Sequence, residues 1–306
     1  MIDEPFPPLP LDAWRPTKDT LHLFFQIVGK IRLTLQPRLN HWWHVPLYVS
    51  ARGVTTRAIA YGDDLLEIEF DFVAHELVIS TSRGDRRSFA LHDGLSVAAF
   101  YRNVFDILGE LHVDCDLRFP VPYEHPTSKI PLAKDEEHRS YDRDAVERYW
   151  RVLTTIQRPF EQFRGRFTGK SSPVHLFWHS FDLALTRFSG RPAPIREGAG
   201  IVEAEAYSHE VISFGFWAGD DNIPAPAFYS YTAPLPDGLT EEPLASGGKW
   251  VENRGGILGL LLYDDLRAAP EPRQALLDFL ESAYRAGAKR AKWDAAAFEP
   301  RPLHRG

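Results

Sequence analysis

The chain is 306 residues long, 44% hydrophobic and 25% charged, with a formal net charge of −7 and one cysteine. That composition can bury a core. The negative balance argues against a nucleic-acid binder, which needs a basic face to displace counterions, and against an anionic membrane surface as partner. Cys115 alone can make neither an intrachain disulfide nor a cysteine-rich zinc site.

The opening residues, MIDEPFPPLP, are acidic and proline-rich and lack the basic and apolar regions of a secretory signal. The best apolar run, 255–263, is far short of the roughly 20 residues that cross a bilayer, so a cytoplasmic protein is expected. Residues 1–16 read as an extended arm. From Thr17, a plausible N-cap, Leu21, Phe24, Phe25, Val28, Ile31 and Leu35 recur at helical spacing until Pro37. His22, Gln26, Gly29, Lys30 and Leu33 form a second stripe on this helix, facing either solvent or a ligand. Short alternating strands are expected at 45–49, 65–72, 76–81 and 87–91. A helix capped by Asp93 or Ser96 then runs to about Val113, followed by a strand at 115–119.

Residues 120–141 are proline-rich and charged, a loop or linker between an N-terminal half (1–119) and a C-terminal half (142–306). A helix is expected from 142 to about 163, then one long strand over 174–188, rich in Phe, Trp and Thr. Strands near 207–217, 227–233 and 257–263 and a helix from 271 to about 289, opened by Pro270 and Pro272, complete the chain. Gly169-Lys170-Ser171 looks like the tail of a P-loop, but Arg164 stands where that motif needs glycine and a helix precedes it, so it is rejected.

The chemistry-bearing residues concentrate in three stretches: HWWH at 41–44, SSPVHLFWHSFDLALTRFSGR at 171–191 and EAYSHE at 205–210. His41 and His44 could share a metal in a turn; the alternative is polar groups flanking a tryptophan plug. On a continuous strand His175 and His179 would stand roughly 13 Å apart, too far for one metal, and His175 and Asp182 would face opposite ways. Glu205 and His209 offer the histidine–carboxylate arrangement of a general base or a metal ligand with its orienting partner. The competing reading is a histidine donating to a neighbouring strand. Arg187 and Arg191 flank a glycine turn and suit an anionic group. The nucleophile-elbow motif Gly-x-Ser-x-Gly is absent.

The chain also resembles the bacterial domain-of-unknown-function family 5996. The resemblance runs nearly end to end and rests on several strings: Thr20-Leu21-His22, Gln26, Gly29-Lys30, Asn40-His41-Trp42-Trp43, Arg52-Gly53, Ser172-Pro173-Val174-His175, Phe181-Asp182-Leu183, 186–191, 205–210 and Gly215-Phe216-Trp217. It implies no activity, only that these polar motifs belong to a shared pattern.

Together these readings predict an α+β protein of antiparallel sheet regions with packed amphipathic helices. The expected function is a cytoplasmic enzyme acting on a small anionic molecule. His175, His209, Glu205 and Asp182 would be catalytic, and Arg187, Arg191, His22, Gln26, Trp43 and Trp178 would contact substrate. A divalent metal held by His41, His175 and His209 is a subordinate expectation, on the ground that histidine–carboxylate sets without cysteine suit zinc, iron, nickel or manganese. The rival is a non-catalytic binding protein with an aromatic-lined pocket for a hydrophobic small ligand.

Overall fold

A computed structural model describes residues 4–117, 119–195, 198–253 and 255–300. The architecture is α+β: among the described residues there are six α-helices and two antiparallel sheets. The chain divides into two compact units. The first comprises the chain up to Leu39, Trp43–Thr154 and His175–Asp182; the second comprises Asn40–Trp42, Thr155–Val174 and the chain from Leu183. The segment 120–141 lies within the first unit. Among the described residues no helix is long and apolar enough to cross a membrane.

The first unit is built on α1 (Leu11–Leu35), which is buried on nearly every side. It starts six residues before Thr17, so the expected extended arm ends earlier and Thr17 is not the cap. Leu11 and Trp14 are each 2% exposed, and burying them outweighs the hydrogen bond that Pro16 removes from the helix interior. After a connection come β1 (Tyr48–Val49), β2 (Gly53–Thr55), β3 (Ile59–Tyr61), β4 (Asp64–Asp71), β5 (Glu76–Thr81) and β6 (Arg86–Ala90). They form an antiparallel sheet of order β1-β2-β4-β5-β6, with β3 also pairing β4. β4 alternates as its sequence demands: Leu66, Ile68 and Phe70 are buried, while Glu67 and Glu69 take hydrogen bonds from the hydroxyls of Thr55 and Ser50 on the other face. α2 (Val97–Glu110) is capped by Ser96, whose hydroxyl accepts from the Ala99 amide. Phe24 and Phe100 stack at 4.0 Å and Phe25 meets Phe70 at 4.8 Å, so α1, α2 and the sheet share one aromatic core.

One expectation fails here. The strand at 115–119 is absent at 115–117 and 119 (Arg118 lies outside the described residues). Residues 120–141 form a loop with one 3-10 turn, Leu132–Lys134, yet they are not merely solvated. Asp135 is fully buried and its carboxylate accepts from the amides of Glu137 and His138, from His138 Nδ1 and from the Ser128 hydroxyl. Polar closure of this kind lets a proline-rich segment pack without regular structure.

α3 (Arg143–Gly165) starts in the first unit and ends in the second. β7 (His175–Phe177) follows, and the chain then turns at 178–181, where the Phe181 amide bonds to the Phe177 carbonyl at 2.8 Å. The single long strand over 174–188 is therefore two strands. Phe181 adopts φ +57°, which costs a bulky residue about 1–2 kcal/mol. Its ring is packed against Tyr149 at 5.0 Å, His22 at 5.2 Å and Phe25 at 5.3 Å, which offsets that strain.

The second unit carries β8 (Asp182–Pro192, most of it in this unit), α4 (Ile201–Ala206), β9 (His209–Trp217), β10 (Ala227–Ala233), β11 (Lys249–Asn253) and β12 (Gly256–Leu262), in the sheet order β11-β12-β10-β9-β8. α5 (Tyr263–Arg267) and α6 (Pro272–Arg290) close the chain. α6 lies directly on the sheet at Gly287, where a Cβ would come within 2.4 Å of Thr232 Oγ1 and 2.8 Å of Ile212 Cδ1. The expected strand start near 207 is in fact the end of α4; β2, β3, β11, α4 and α5 are too short for periodicity to reveal.

Candidate functional site

The polar residues singled out in the sequence fall into two constellations, one in each unit. In the first unit the second stripe of α1 is buried. Gln26 clamps the backbone of Tyr123: its Oε1 accepts from the Tyr123 amide at 2.7 Å and its Nε2 donates to the Tyr123 carbonyl at 3.0 Å. The same Nε2 is 3.2 Å from His22 Nε2, which also lies 3.1 Å from the His179 carbonyl. His22 Nε2 thus faces one donor and one acceptor, and each neutral tautomer satisfies one of them. Burial, then the neighbouring His125, hold the His22 pKa well below its ordinary value. His125 is structural: its Nδ1 accepts the amides of Thr127 and Ser128, leaving Nε2–H for the Asp19 carbonyl, and burial pushes its pKa down to about 4.

Further along the stripe, Gly29 and Lys30 meet Trp178. The indole lies so close to Gly29 that a Cβ there would sit 2.1 Å from Trp178 Cδ1, and its Nε1 donates to the Val45 carbonyl at 3.0 Å. Lys30 Nζ stands 5.5 Å from the Trp178 ring centre. Lys30 is only 3% exposed, and no ion pair joins it to a carboxylate among the described residues. Burial lowers its pKa from 10.5 to about 8. His175 is buried between Tyr48 at 6.3 Å and Phe177 at 4.6 Å. Asp182, also buried, accepts from the Ser180 hydroxyl. Trp43 is half-buried in the same unit.

The second unit brings together three of the residues expected to act together, His41, Glu205 and His209, and adds Lys170. Asn40–Trp42 is a 3-10 turn in which His41 and Trp42 both have positive φ, +55° and +60°. Such consecutive left-handed residues are costly and persist where surroundings hold them. Here α4 supplies the hold: His41 Nδ1 lies 3.2 Å from the Glu205 carbonyl and Trp42 Nε1 donates to the Val202 carbonyl at 3.2 Å. With Nδ1–H directed at that carbonyl, His41 Nε2 presents its lone pair to Lys170 Nζ at 2.6 Å. Phe188 walls the pair, 4.5 Å from the His41 ring and 5.0 Å from Lys170 Nζ. The His209 ring meets His41 edge-on at 5.8 Å, and its Nδ1 lies 3.1 Å from the Ser208 hydroxyl. Burial, then the Lys170 charge, lower the His41 pKa; burial lowers that of Lys170.

Glu205 therefore meets His41 through its backbone carbonyl. The two arginines are engaged in holding the fold. Arg187 is 1% exposed; its guanidinium lies 3.5 Å from the Phe163 ring and 4.4 Å from Tyr284, donates to the Phe163 carbonyl, and is lowered by burial to a pKa of about 10. Arg191 pairs with Glu210 at 2.6 Å and donates to the carbonyls of Ala291 and Lys292. Lys170 is what the sequence reading missed. Its signal was the Gly-Lys-Ser string, noted only as a failed P-loop, because its partner His41 lies 129 residues away.

A metal does not fit His41, His175 and His209. Among the described residues no group of three or more His, Cys, Asp or Glu side chains is placed to hold an ion. His41 already directs one ring nitrogen at a carbonyl and the other at an ammonium.

No curated protein and no solved structure matches the chain. A family model does, over residues 6–300, which takes in both constellations. The chain belongs to the family of unknown function DUF5996.

Proposed function

We propose that the protein is a cytoplasmic enzyme that acts on a small anionic molecule by proton transfer at the His41–Lys170–His209 centre. The observation that carries this reading is the 2.6 Å contact between Lys170 Nζ and His41 Nε2, with the imidazole oriented from behind by the Glu205 carbonyl. A neutral, oriented imidazole fixes an exposed ammonium where it can hold a carboxylate or phosphate oxygen. His209, half-exposed and beside His41, supplies the acid–base group. Phe188 gives the apolar wall for the rest of the substrate. The single cysteine, Cys115, suits a reducing compartment.

The test is a thermal-shift screen of small carboxylates and phosphate monoesters, followed by mass spectrometry of each hit after incubation with enzyme. A ligand that stabilises the wild type, loses that effect in Lys170→Met, and is converted by the wild type but not by His209→Ala supports the proposal. Hits that bind Lys170→Met and His41→Gln as tightly as wild type sink it. A ligand bound through Lys170 but returned unchanged favours the non-catalytic binding role at the same centre.

A further inference from the structure

The backbone that carries Lys170 is fixed, although the residue itself is exposed. Residues 170–172 run antiparallel alongside β8: the Phe188 amide donates to the Lys170 carbonyl at 3.0 Å, Ser171 bridges Arg187, and the Ser172 amide donates to the Thr186 carbonyl at 2.8 Å. The partner of the side chain sets this lysine apart. Lys18 and Lys289 lie against carboxylates, Asp19 at 3.3 Å and Glu242 at 2.8 Å, and a carboxylate favours the charged form of a lysine. Lys170 Nζ instead lies 2.6 Å from His41 Nε2. The Glu205 carbonyl takes the proton on His41 Nδ1, so Nε2 carries the lone pair, and a neutral imidazole is a base for the amine it faces. Partial burial lowers the Lys170 pKa, which raises its share of free amine at neutral pH.

A lysine that gives up its proton easily and has a base beside it is suited to form an imine with a carbonyl compound. We propose, on the footing of the proton-transfer reading above, that Lys170 is a covalent nucleophile that forms an imine with a small anionic aldehyde or ketone. His41 Nε2 takes one proton from the Lys170 ammonium, and the freed amine attacks the carbonyl carbon. The C=O π electrons move to oxygen. That oxygen picks up one proton from the nitrogen and one back from His41, and leaves as water while the nitrogen lone pair closes the C=N bond. Ammonium plus carbonyl thus becomes iminium plus water, and the positive charge that draws in the anionic substrate is kept. The iminium withdraws electrons from the neighbouring carbon, so that His209, whose ring lies 5.8 Å from that of His41, can remove a proton there. Hydrolysis of the imine reverses the first steps and frees Lys170.

The probe is glyoxylate, an aldehyde with a carboxylate, given to the full chain at neutral pH with sodium cyanoborohydride, which reduces an iminium to a stable amine. Peptide mass spectrometry reads the initial rate of carboxymethylation at each lysine, with exposed Lys129 and Lys249 as internal references. Lys170 is expected to react at least about tenfold faster than either, because more of it is free amine and a base stands beside it. His41→Gln keeps a hydrogen-bond acceptor near Nζ but cannot take a proton, and it brings Lys170 back to the rate of the two references. A wild-type Lys170 rate no higher than theirs overturns the proposal, and that result needs no variant. A fast Lys170 rate that persists in a folded His41→Gln protein overturns it too. The imine and the proton transfer fail separately. Carboxylates that bind through Lys170 without preferential labelling remove the imine and leave proton transfer standing. Preferential labelling of Lys170, with no ligand converted in a way that depends on His209, removes proton transfer by His209 and leaves the imine.

Discussion

Lys30→Met is expected to make the protein more stable at neutral pH. Lys30 is 3% exposed and its charge faces only the Trp178 ring, so burial drops its pKa from 10.5 to about 8. In the unfolded chain it titrates near 10.5. The unfolded state therefore binds more protons than the native state between about pH 8 and 10.5, and native stability rises with pH across that window. Below pH 8 the full penalty of keeping a buried ammonium is present; above 10.5 both states are neutral and it is gone. At about 1.4 kcal/mol per tenfold change in proton affinity, the drop from 10.5 to about 8 corresponds to roughly 3 kcal/mol, reduced to ~2–3 kcal/mol by residual water at the ammonium. Methionine keeps the unbranched stem and a high helix propensity, so the substitution removes the charge and little else. Urea unfolding of both proteins is measured at pH 7 and again near pH 10.5, and the difference between them cancels every other titrating group. The expected result is Lys30→Met ahead by ~2–3 kcal/mol at pH 7, with the gap closing to within about 0.5 kcal/mol at the higher pH. A variant less stable than wild type at pH 7, or a gap independent of pH, would refute the reasoning.

Gly29→Ala should lose about 1–3 kcal/mol, read as a lower midpoint of thermal unfolding, because the new Cβ would lie 2.1 Å from Trp178 Cδ1 and the indole is tied down by its bond to Val45. A midpoint equal to wild type would show that Trp178 is free to move. Cys115, whose thiol is pushed up to about 11 by burial and then by Asp116 and Asp114, should react with iodoacetamide at pH 8 about 100-fold more slowly in the native protein than in urea. Equal rates would mean that the thiol ionises as it does in an unfolded chain.

What the sequence made legible, and what it hid, follows from the range of the interactions involved. Ser96, one of the two caps expected, the bounds of β5 and β10 and the alternation of β4 rest on neighbours within a few residues, and they stand as read. Failures occur where distant residues decide. Pro16 sits inside α1 because Trp14 must be buried, and the strand read over 174–188 breaks at Phe181 because its ring is held by Tyr149, His22 and Phe25. That break changes the chemistry, since the face assigned to each residue by strict alternation does not carry through the turn at 178–181. The site was legible as composition and illegible as pairing. His41, His209 and Glu205 were picked out as unusual, but that Lys170 would supply the charge beside His41, with Glu205 contributing its backbone carbonyl, depends on a contact spanning 129 residues.

Buried polar groups in this chain differ in how fully their surroundings compensate them. Asp135 is fully buried and has four donors, and His125 has two amide donors at Nδ1 and a carbonyl acceptor at Nε2. Each of these is closed by its own surroundings, as a group with a purely structural role should be. Lys30 differs: it is 3% exposed, its charge lies on the Trp178 ring, and no ion pair joins it to a carboxylate among the described residues. A sequence selected for stability alone would replace Lys30 with an apolar residue of similar shape, at a gain.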